Sequence, residues 1–211
     1  MSMPKILVMC GGRGKRLNKL TESTPKPLVQ FRGRTILEFK IEQYLSQGFS
    51  DFIFCIGFEG EKIRSAIGKS DLGFNASFSE AGLDAGILKR LHHARDLFDD
   101  YVLMTYGDTF TDIDVRGFVD SHVASGNEAT IVVAPIQSPF GLVEFDGDNK
   151  VTYFREKPIL NYYIGYAVIN KTAFDLVPEN IIEIPDGQGL ITFYKILMGM
   201  EKLGAFFHSG L

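Results

Sequence analysis

The 211-residue sequence lacks tryptophan, has only two cysteines and carries no large excess of charge of either sign. Cys10 and Cys55 both lie in apolar, strand-like runs, which excludes a disulfide-rich scaffold and predicts buried, reduced thiols. The net charge of −4, from 22 basic and 26 acidic residues, argues against a broad nucleic-acid-binding surface. No apolar run approaches the roughly 20 residues of a membrane helix, and residues 1–5 lack the apolar core of a signal peptide. These absences predict a cytoplasmic protein with neither a nucleic-acid nor a membrane partner.

Short apolar runs that end at glycine alternate along the chain with segments of helical spacing. This alternation predicts a three-layer α/β/α Rossmann-like fold, with a mixed, mostly parallel sheet and an added β-hairpin, in a single domain over residues 1–211. Ligands of such folds bind at the carboxyl ends of the strands. The predicted strands are 5–10, 51–56, 76–78, 101–106, 129–134, 142–145, 151–154, 164–169 and 205–208, and the helices fall within 36–45, 61–67, 87–97, 115–123 and 192–203.

The segment after the first strand, Gly11-Gly12-Arg13-Gly14-Lys15-Arg16-Leu17, sets three glycines beside three cations. Glycines let backbone N–H groups approach a polyphosphate, and Arg and Lys supply charge to the same anion. The spacing does not match a Walker A loop. It fits a dinucleotide fingerprint only in part, because Leu17 holds the third glycine position and the second strand ends at Ile56-Gly57 without an acid. A dehydrogenase is therefore disfavoured, and a phosphate-binding loop is favoured over a surface turn.

Three further short motifs carry charged residues, and two of them could equally be ordinary surface structure when taken alone. Pro25-Lys26-Pro27 is either a surface turn or a stiff loop that aims an ammonium group at a reacting phosphate. Asp108 follows Gly107 at a strand end, where a carboxylate can hold Mg²⁺ together with phosphate oxygens and water. Glu156-Lys157-Pro158 is either a charged strand end or a contact to a substrate's hydroxyls and phosphate.

In this order and spacing, the motifs together resemble the sugar-1-phosphate nucleotidyltransferase family over nearly the whole chain. Within that family the sequence is most similar to glucose-1-phosphate cytidylyltransferases. The segments that carry this similarity are Glu80-Ala81-Gly82-Leu83-Asp84, Gly86-Ile87-Leu88-Lys89-Arg90-Leu91 and Thr105-Tyr106-Gly107-Asp108.

The resemblance implies a Mg²⁺-dependent transfer of a nucleoside monophosphate from an NTP, with CTP favoured, to a sugar 1-phosphate, with release of pyrophosphate and formation of an NDP-sugar. Arg16, Lys26 and Asp108 are the implied catalytic residues, and Asp108 is the implied metal ligand. Implied roles are nucleotide binding for Gly11, Gly12, Gly14, Arg16, Lys26, Gly82 and Gly107, and contact with the second substrate for Gly141, Glu156 and Lys157.

Three departures from the family pattern leave alternatives open. The stretch Leu83-Asp84-Ala85-Gly86 is shorter than its family counterpart, so a guanylyl- or thymidylyltransferase is an alternative. Asn161-Tyr162-Tyr163-Ile164-Gly165 replaces an asparagine-glycine-glycine, so the acceptor could be a phosphate that is not a sugar phosphate. In the family a second metal-binding aspartate comes just after the position of Leu211, so the resemblance implies a truncated domain or incomplete metal binding. A non-catalytic nucleotide-binding regulatory module is the alternative of another class, and a homo-oligomer is an open expectation.

Overall fold

The computed structural model describes residues 3–12 and 24–210. The strands are β1 Lys5–Met9, β2 Gln30–Phe31, β3 Arg34–Thr35, β4 Asp51–Ile56, β5 Asn75–Glu80, β6 Tyr101–Tyr106, β7 Ala129–Gln137, β8 Leu142–Phe145, β9 Val151–Arg155, β10 Ile159–Asn170 and β11 Leu203–Phe207. The α-helices are α1 Ile36–Ser46, α2 Gly60–Gly68, α3 Ile87–His93, α4 Val115–Ser125 and α5 Gln188–Gly199.

Seven strands form one sheet in the order β11-β7-β10-β6-β1-β4-β5. All neighbouring strands pair in parallel except β10, which is antiparallel to both β6 and β7. Strands β8 and β9 form a separate antiparallel hairpin. The predicted mixed, mostly parallel sheet with an added hairpin is therefore confirmed.

Helices cover both faces of the seven-stranded sheet. Side chains alternate between the two faces along each strand, so each strand contributes apolar residues to a core on either side. One face packs Ile6 and Val8 against α1, α2 and α4, for example through Ile41 and Phe118. The opposite face packs Leu7 and its neighbours against α3 and α5. These two apolar cores define the three predicted layers.

The two cysteines lie inside these cores and are unpaired thiols, as predicted. Burial raises the pKa of the Cys55 thiol to about 12, and it also raises the pKa of Cys10. Both groups therefore stay protonated at neutral pH. Among the described residues, no helix has the length and apolar character needed to cross a bilayer.

Several predicted boundaries are wrong. The last helix begins at Gln188, not at residue 192, and ends at Gly199, not at 203. Near the start of this helix Gly189 is buried, and a Cβ there would lie 3.1 Å from the carbonyl oxygens of Ile181 and Ile184. The helix therefore starts early because glycine permits a close backbone approach. Strand β11 correspondingly spans Leu203–Phe207, and β10 begins five residues before the predicted strand at 164.

Candidate active site

A cleft of about 780 Å³ opens at the carboxyl ends of β1 and β6, beside the end of β4. These ends lie side by side because Met9 pairs with both Cys55 and Tyr106 in parallel register. The loops that leave the strands therefore meet at one edge of the sheet, as expected for a ligand site of this fold. The cleft is lined by Gly11 and Gly12, by Lys26 and Pro27, by residues 83–85, by Asp108 and by residues 185–187.

The two predicted catalytic residues that the structure describes, Lys26 and Asp108, meet in this cleft. Lys26 Nζ lies 3.2 Å from Asp108 Oδ2, although 82 residues separate them. Both side chains keep part of their surface open to solvent, so the pair remains accessible to a ligand. A cation and an oxygen ligand thus stand side by side, the arrangement needed to hold a phosphate group and a bound metal ion together.

The proline-rich loop reaches Asp108 because Gly107 has no side chain. Pro25 accepts a hydrogen bond from the backbone N–H of Leu28, which makes residues 26–28 a tight 3₁₀ turn. A Cβ on Gly107 would lie 2.7 Å from Pro27 Cγ and 3.0 Å from the Met9 carbonyl oxygen. The glycine therefore lets the turn pack directly on the end of β6, which sets the position of Lys26.

Of the glycine-rich segment, Gly11 and Gly12 border the cleft. Gly14 and Arg16, for which phosphate contacts are predicted, lie outside the described residues. Gly11 is buried against Arg90, whose Nη1 would lie 2.3 Å from a Cβ at position 11, whereas Gly12 is open. The first glycine is thus required by packing, and the second leaves free space on the cleft side.

Arg90, on α3, ties the end of β4 to the loop at residues 82–85. Its guanidinium donates hydrogen bonds to the carbonyl oxygens of Ile56 at 2.8 Å, Gly82 at 2.9 Å, Ala85 at 3.0 Å and Leu83 at 3.1 Å. The side chain is buried, and burial lowers its pKa from the ordinary arginine value. An arginine remains charged despite such a shift, so these bonds are charge-assisted. The backbone of Gly82, which is predicted to contact the nucleotide, is therefore fixed in position by Arg90.

Lys40 likewise fixes the backbone next to Asp108 from the core side. It is fully buried in α1, and its Nζ donates to the Thr109 carbonyl oxygen at 2.6 Å and to the Tyr166 hydroxyl at 3.1 Å. Burial lowers the pKa of Lys40 to about 7. Thr109, the residue that follows Asp108, is therefore held in position by a hydrogen bond from a buried lysine.

The three residues predicted to contact the second substrate lie apart from this cleft lining. Gly141 and Glu156 are neighbours at the base of the β8–β9 hairpin, where a Cβ on Gly141 would lie 3.4 Å from Glu156 Oε2. Lys157 is exposed, and its backbone adopts a positive φ of 43°. The structure thus groups Gly141 with Glu156 but does not bring either into the wall that contains Lys26 and Asp108.

Sequence reasoning missed Arg90 and Lys40. Lys40 shares a helical face with Leu37, Ile41 and Tyr44, and this spacing could have revealed a lysine on the apolar side of α1. The cleft-lining turn at residues 185–187 was also missed, and the Pro-Asp-Gly sequence itself predicts only a turn.

Asp108 is not part of a metal cage made by protein side chains alone. Across residues 3–12 and 24–210, no three His, Cys, Asp or Glu side chains group so as to enclose a metal ion. A partly exposed carboxylate on the cleft wall instead suits Mg²⁺, which takes one or two carboxylates and completes its shell with phosphate oxygens and water.

Comparison with known proteins agrees with this geometry. Residues 5–176 match the model of the family described as nucleotidyl transferase. The chain belongs to that family. It is 29% identical to the glucose-1-phosphate cytidylyltransferase of Salmonella typhi, over 98% of this chain and 88% of the relative. It is 30% identical to the mannose-1-phosphate guanyltransferase of Pichia angusta, over 96% of this chain and 58% of the relative.

A solved structure shares the fold. HddC from Yersinia pseudotuberculosis, complexed with GMP-PN, superposes with a TM-score of 0.73 at 19% identity, over 99% of this chain and 92% of that one. The predicted α/β fold and the resemblance to the sugar-1-phosphate nucleotidyltransferases are thereby confirmed.

Proposed function

We propose that the chain transfers a nucleoside monophosphate from an NTP, preferably CTP, to a sugar 1-phosphate, and that it releases pyrophosphate and forms an NDP-sugar. The observation that carries the proposal is the Lys26–Asp108 pair, at 3.2 Å, on the wall of a cleft bordered by Gly11 and Gly12. Glycine backbone, a fixed cation and a carboxylate are the groups that polyphosphate and its metal ion require. The preference for CTP rests on the similarity to cytidylyltransferases. We further propose that residues 1–211 act as one catalytic domain in the cytoplasm, where Cys10 and Cys55 would stay reduced.

The reaction requires positioning and charge neutralisation more than proton transfer. A phosphate oxygen of the acceptor forms a bond to the α-phosphorus of the NTP, while the bond from that phosphorus to the bridging oxygen breaks and pyrophosphate leaves. The attacking oxygen is already ionised at neutral pH, so no general base is needed. Catalysis then depends on in-line alignment and on positive charge near the α-phosphate.

Each predicted site residue has a definite task in this reaction. Lys26 places its ammonium group beside the α-phosphate, and Gly11 and Gly12 offer backbone N–H groups to the nucleotide. Asp108 would hold Mg²⁺ together with phosphate oxygens, and the ion would supply further neutralisation of phosphate charge. Gly141, Glu156 and Lys157 would bind the acceptor, and Arg16 and Gly14 the nucleotide phosphates.

A second candidate acceptor is a phosphate ester that is not a sugar phosphate. Tyr163 stands where the resemblance leads one to expect a small residue, and its hydroxyl lies 3.3 Å from that of Tyr194. Tyr106 completes this aromatic group and lines the cleft. Tyr106, held by the other two tyrosines, takes up space next to Asp108 in the cleft, which favours a compact acceptor.

The direct test is pyrophosphate release with each of the four NTPs, with glucose 1-phosphate, mannose 1-phosphate and phosphocholine as acceptors, with and without Mg²⁺. We expect turnover with one NTP, dependent on both Mg²⁺ and an acceptor, and its loss in Asp108→Asn at unchanged thermal stability. Turnover with phosphocholine alone would identify the second candidate. If nucleotides raise the melting temperature but pyrophosphate never forms, the protein is a nucleotide-binding module and the proposal is wrong.

A further inference from the structure

The residues that follow Asp108, residues 109–113, form an extended segment between β6 and α4. Side chains along this segment alternate in exposure: Thr111 and Ile113 are buried, whereas the residues on either side of Thr111 are exposed. In an extended chain the carbonyl groups alternate as well, so those of every second residue point to the same side. Because buried carbonyl groups require hydrogen-bond donors, the segment needs a neighbour that offers a row of them.

Helix α1 supplies these donors from one of its faces. Three long polar side chains, about one turn apart on the helix, donate hydrogen bonds to alternate carbonyl oxygens of the segment: Lys40 to Thr109 at 2.6 Å, Gln43 to Thr111, and Gln47 to Ile113 at 3.1 Å. Seven residues of α-helix rise about 10.5 Å, and four residues of extended chain advance about 13 Å. Long side chains can span this difference, so the helix holds the segment in register much as a neighbouring strand would.

The same helix also fixes the turn that carries Lys26. The carbonyl oxygen of Val29, which follows this turn, accepts a hydrogen bond from the N–H of Ile36, the first residue of α1, at 3.1 Å. This end of the helix is itself well defined, because Thr35 is the N-cap of a capping box. Helix α1 therefore contacts both loops of the Lys26–Asp108 pair, the first through its start and the second through its polar face.

We propose that Gln43 is a positioning residue for the divalent cation of the cleft. Its hydrogen bond, together with those of its two neighbours on α1, keeps residues 109–113 extended and holds the Asp108 carboxylate beside Lys26. This role rests on the proposed function, in which Asp108 holds Mg²⁺, and it adds the group that orients this carboxylate from behind. Replacing a residue that orients a metal ligand typically lowers metal affinity roughly 10–100-fold.

Of the three donors on α1, Gln43 is the one whose replacement isolates this effect. Lys40 also donates to the Tyr166 hydroxyl in the core, so its loss would disturb packing. Gln47 also accepts a hydrogen bond from the Val115 N–H at 2.7 Å, and it therefore holds the start of α4. The Gln43 side chain is half-buried, and its hydrogen bond goes to the segment after Asp108.

Calorimetric titration in the absence of an acceptor measures this effect without turnover. Each of the four NTPs is titrated into the protein in Mg²⁺ and in EDTA, and the ratio of the Kd in EDTA to the Kd in Mg²⁺ gives the metal effect. We expect Gln43→Leu to reduce this ratio about tenfold or more and to leave the Kd in EDTA unchanged. Glu42→Leu is the matched control: Glu42 is the adjacent residue of α1 but pairs with Arg34, so its ratio should equal that of the natural chain.

Gln47→Leu separates positioning from stability. This variant loses two side-chain hydrogen bonds, so its melting temperature should fall further than that of Gln43→Leu. Its metal effect should change less, because Ile113 is farther along the chain from Asp108 than Thr111 is. A metal effect that simply follows the melting temperature, or an unchanged ratio in Gln43→Leu, would overturn the positioning role alone. If the natural chain binds no NTP, or binds each equally in Mg²⁺ and EDTA, the proposed function fails together with it.

Discussion

At the scale of single residues, Lys26 places a positive charge beside Asp108 on the wall of the cleft. If this charge stabilises the transition state, Lys26→Ala should lower kcat by roughly 10²-fold or more. Steady-state kinetics and the melting temperature measure the effect, with Lys195→Ala, an exposed lysine of α5, as the control that leaves both unchanged. A rise in KM at constant kcat would mean that Lys26 binds the ground and transition states equally, contrary to its assigned role.

Arg90 offers a second prediction at this scale, because its side chain fixes the backbone of the cleft wall through four hydrogen bonds. Arg90→Lys keeps a charge but cannot reach four carbonyl oxygens, so we expect the KM for the NTP to rise at least roughly tenfold, with a smaller change in kcat. The melting temperature should fall as well, because buried carbonyl groups lose their donors.

The neighbouring Lys89→Ala is the control for Arg90. Lys89 pairs with Glu183 at the surface, 2.6 Å away, and its loss should leave the KM for the NTP unchanged. If Arg90→Lys lowered the melting temperature without affecting that KM, Arg90 would be a structural residue with no influence on the nucleotide side of the cleft.

Individual residues also show where sequence reasoning stops. Lys26 and Asp108 were found because short motifs identify them, and the structure brings them into contact. The partners of Lys40 lie 69 and 126 residues away in sequence. A sequence can place such a lysine on an apolar helical face, but it cannot show which carbonyl group receives its hydrogen bond.

At the scale of elements, the junction between the proline-rich turn and β6 sets the position of Lys26 relative to Asp108. Gly107→Ala would place a methyl group 2.7 Å from Pro27 Cγ and 3.0 Å from a backbone oxygen, so the turn must move. A displacement of about 1 Å near the chemistry can cost on the order of 10²-fold in rate. We therefore expect kcat to fall tenfold or more while the far-UV circular dichroism spectrum stays unchanged.

Gly68→Ala is the matched control for this junction, since a Cβ at position 68 would meet no atom within 4 Å. Its kcat should equal that of the natural chain. Full activity in Gly107→Ala would show that the turn adapts without loss, and that close packing at Gly107 does not position Lys26.

The elements were predictable to the extent that local pattern decided them. Short apolar runs that end at glycine identified β1, β4 and β6. The start of α5 was missed because close packing at Gly189 depends on the distant turn at 181–184. The exposure of the hairpin was equally hidden, since its apolar alternation resembles that of a buried strand.

At the scale of the whole molecule, the free energy of unfolding reflects both cores, and one of them contains the ammonium group of Lys40. Among the residues that the structure describes, this group contacts Thr109 and Tyr166 but no carboxylate. Its aromatic neighbours are Tyr166, with the ring centroid 4.8 Å away, and Tyr44 at 5.8 Å. Burial of an unpaired charge is costly, and the cost is avoided when the group gives up its proton.

This linkage predicts how global stability changes with pH. The pKa of Lys40 falls from the ordinary 10.5 to about 7 on folding, so between these values the unfolded chain binds a proton that the folded chain does not. The contribution of Lys40 to the free energy of unfolding therefore rises with pH by up to about 1.4 kcal/mol per unit above pH 7, and it is constant below the folded pKa. Urea unfolding at pH 6, 7, 8 and 9 should show the natural chain gaining on the order of 2 kcal/mol relative to Lys40→Met between pH 7 and 9. Lys195→Met, which removes an exposed amine, should show a constant difference, and a constant difference for Lys40→Met would mean that Lys40 keeps its proton in the folded protein.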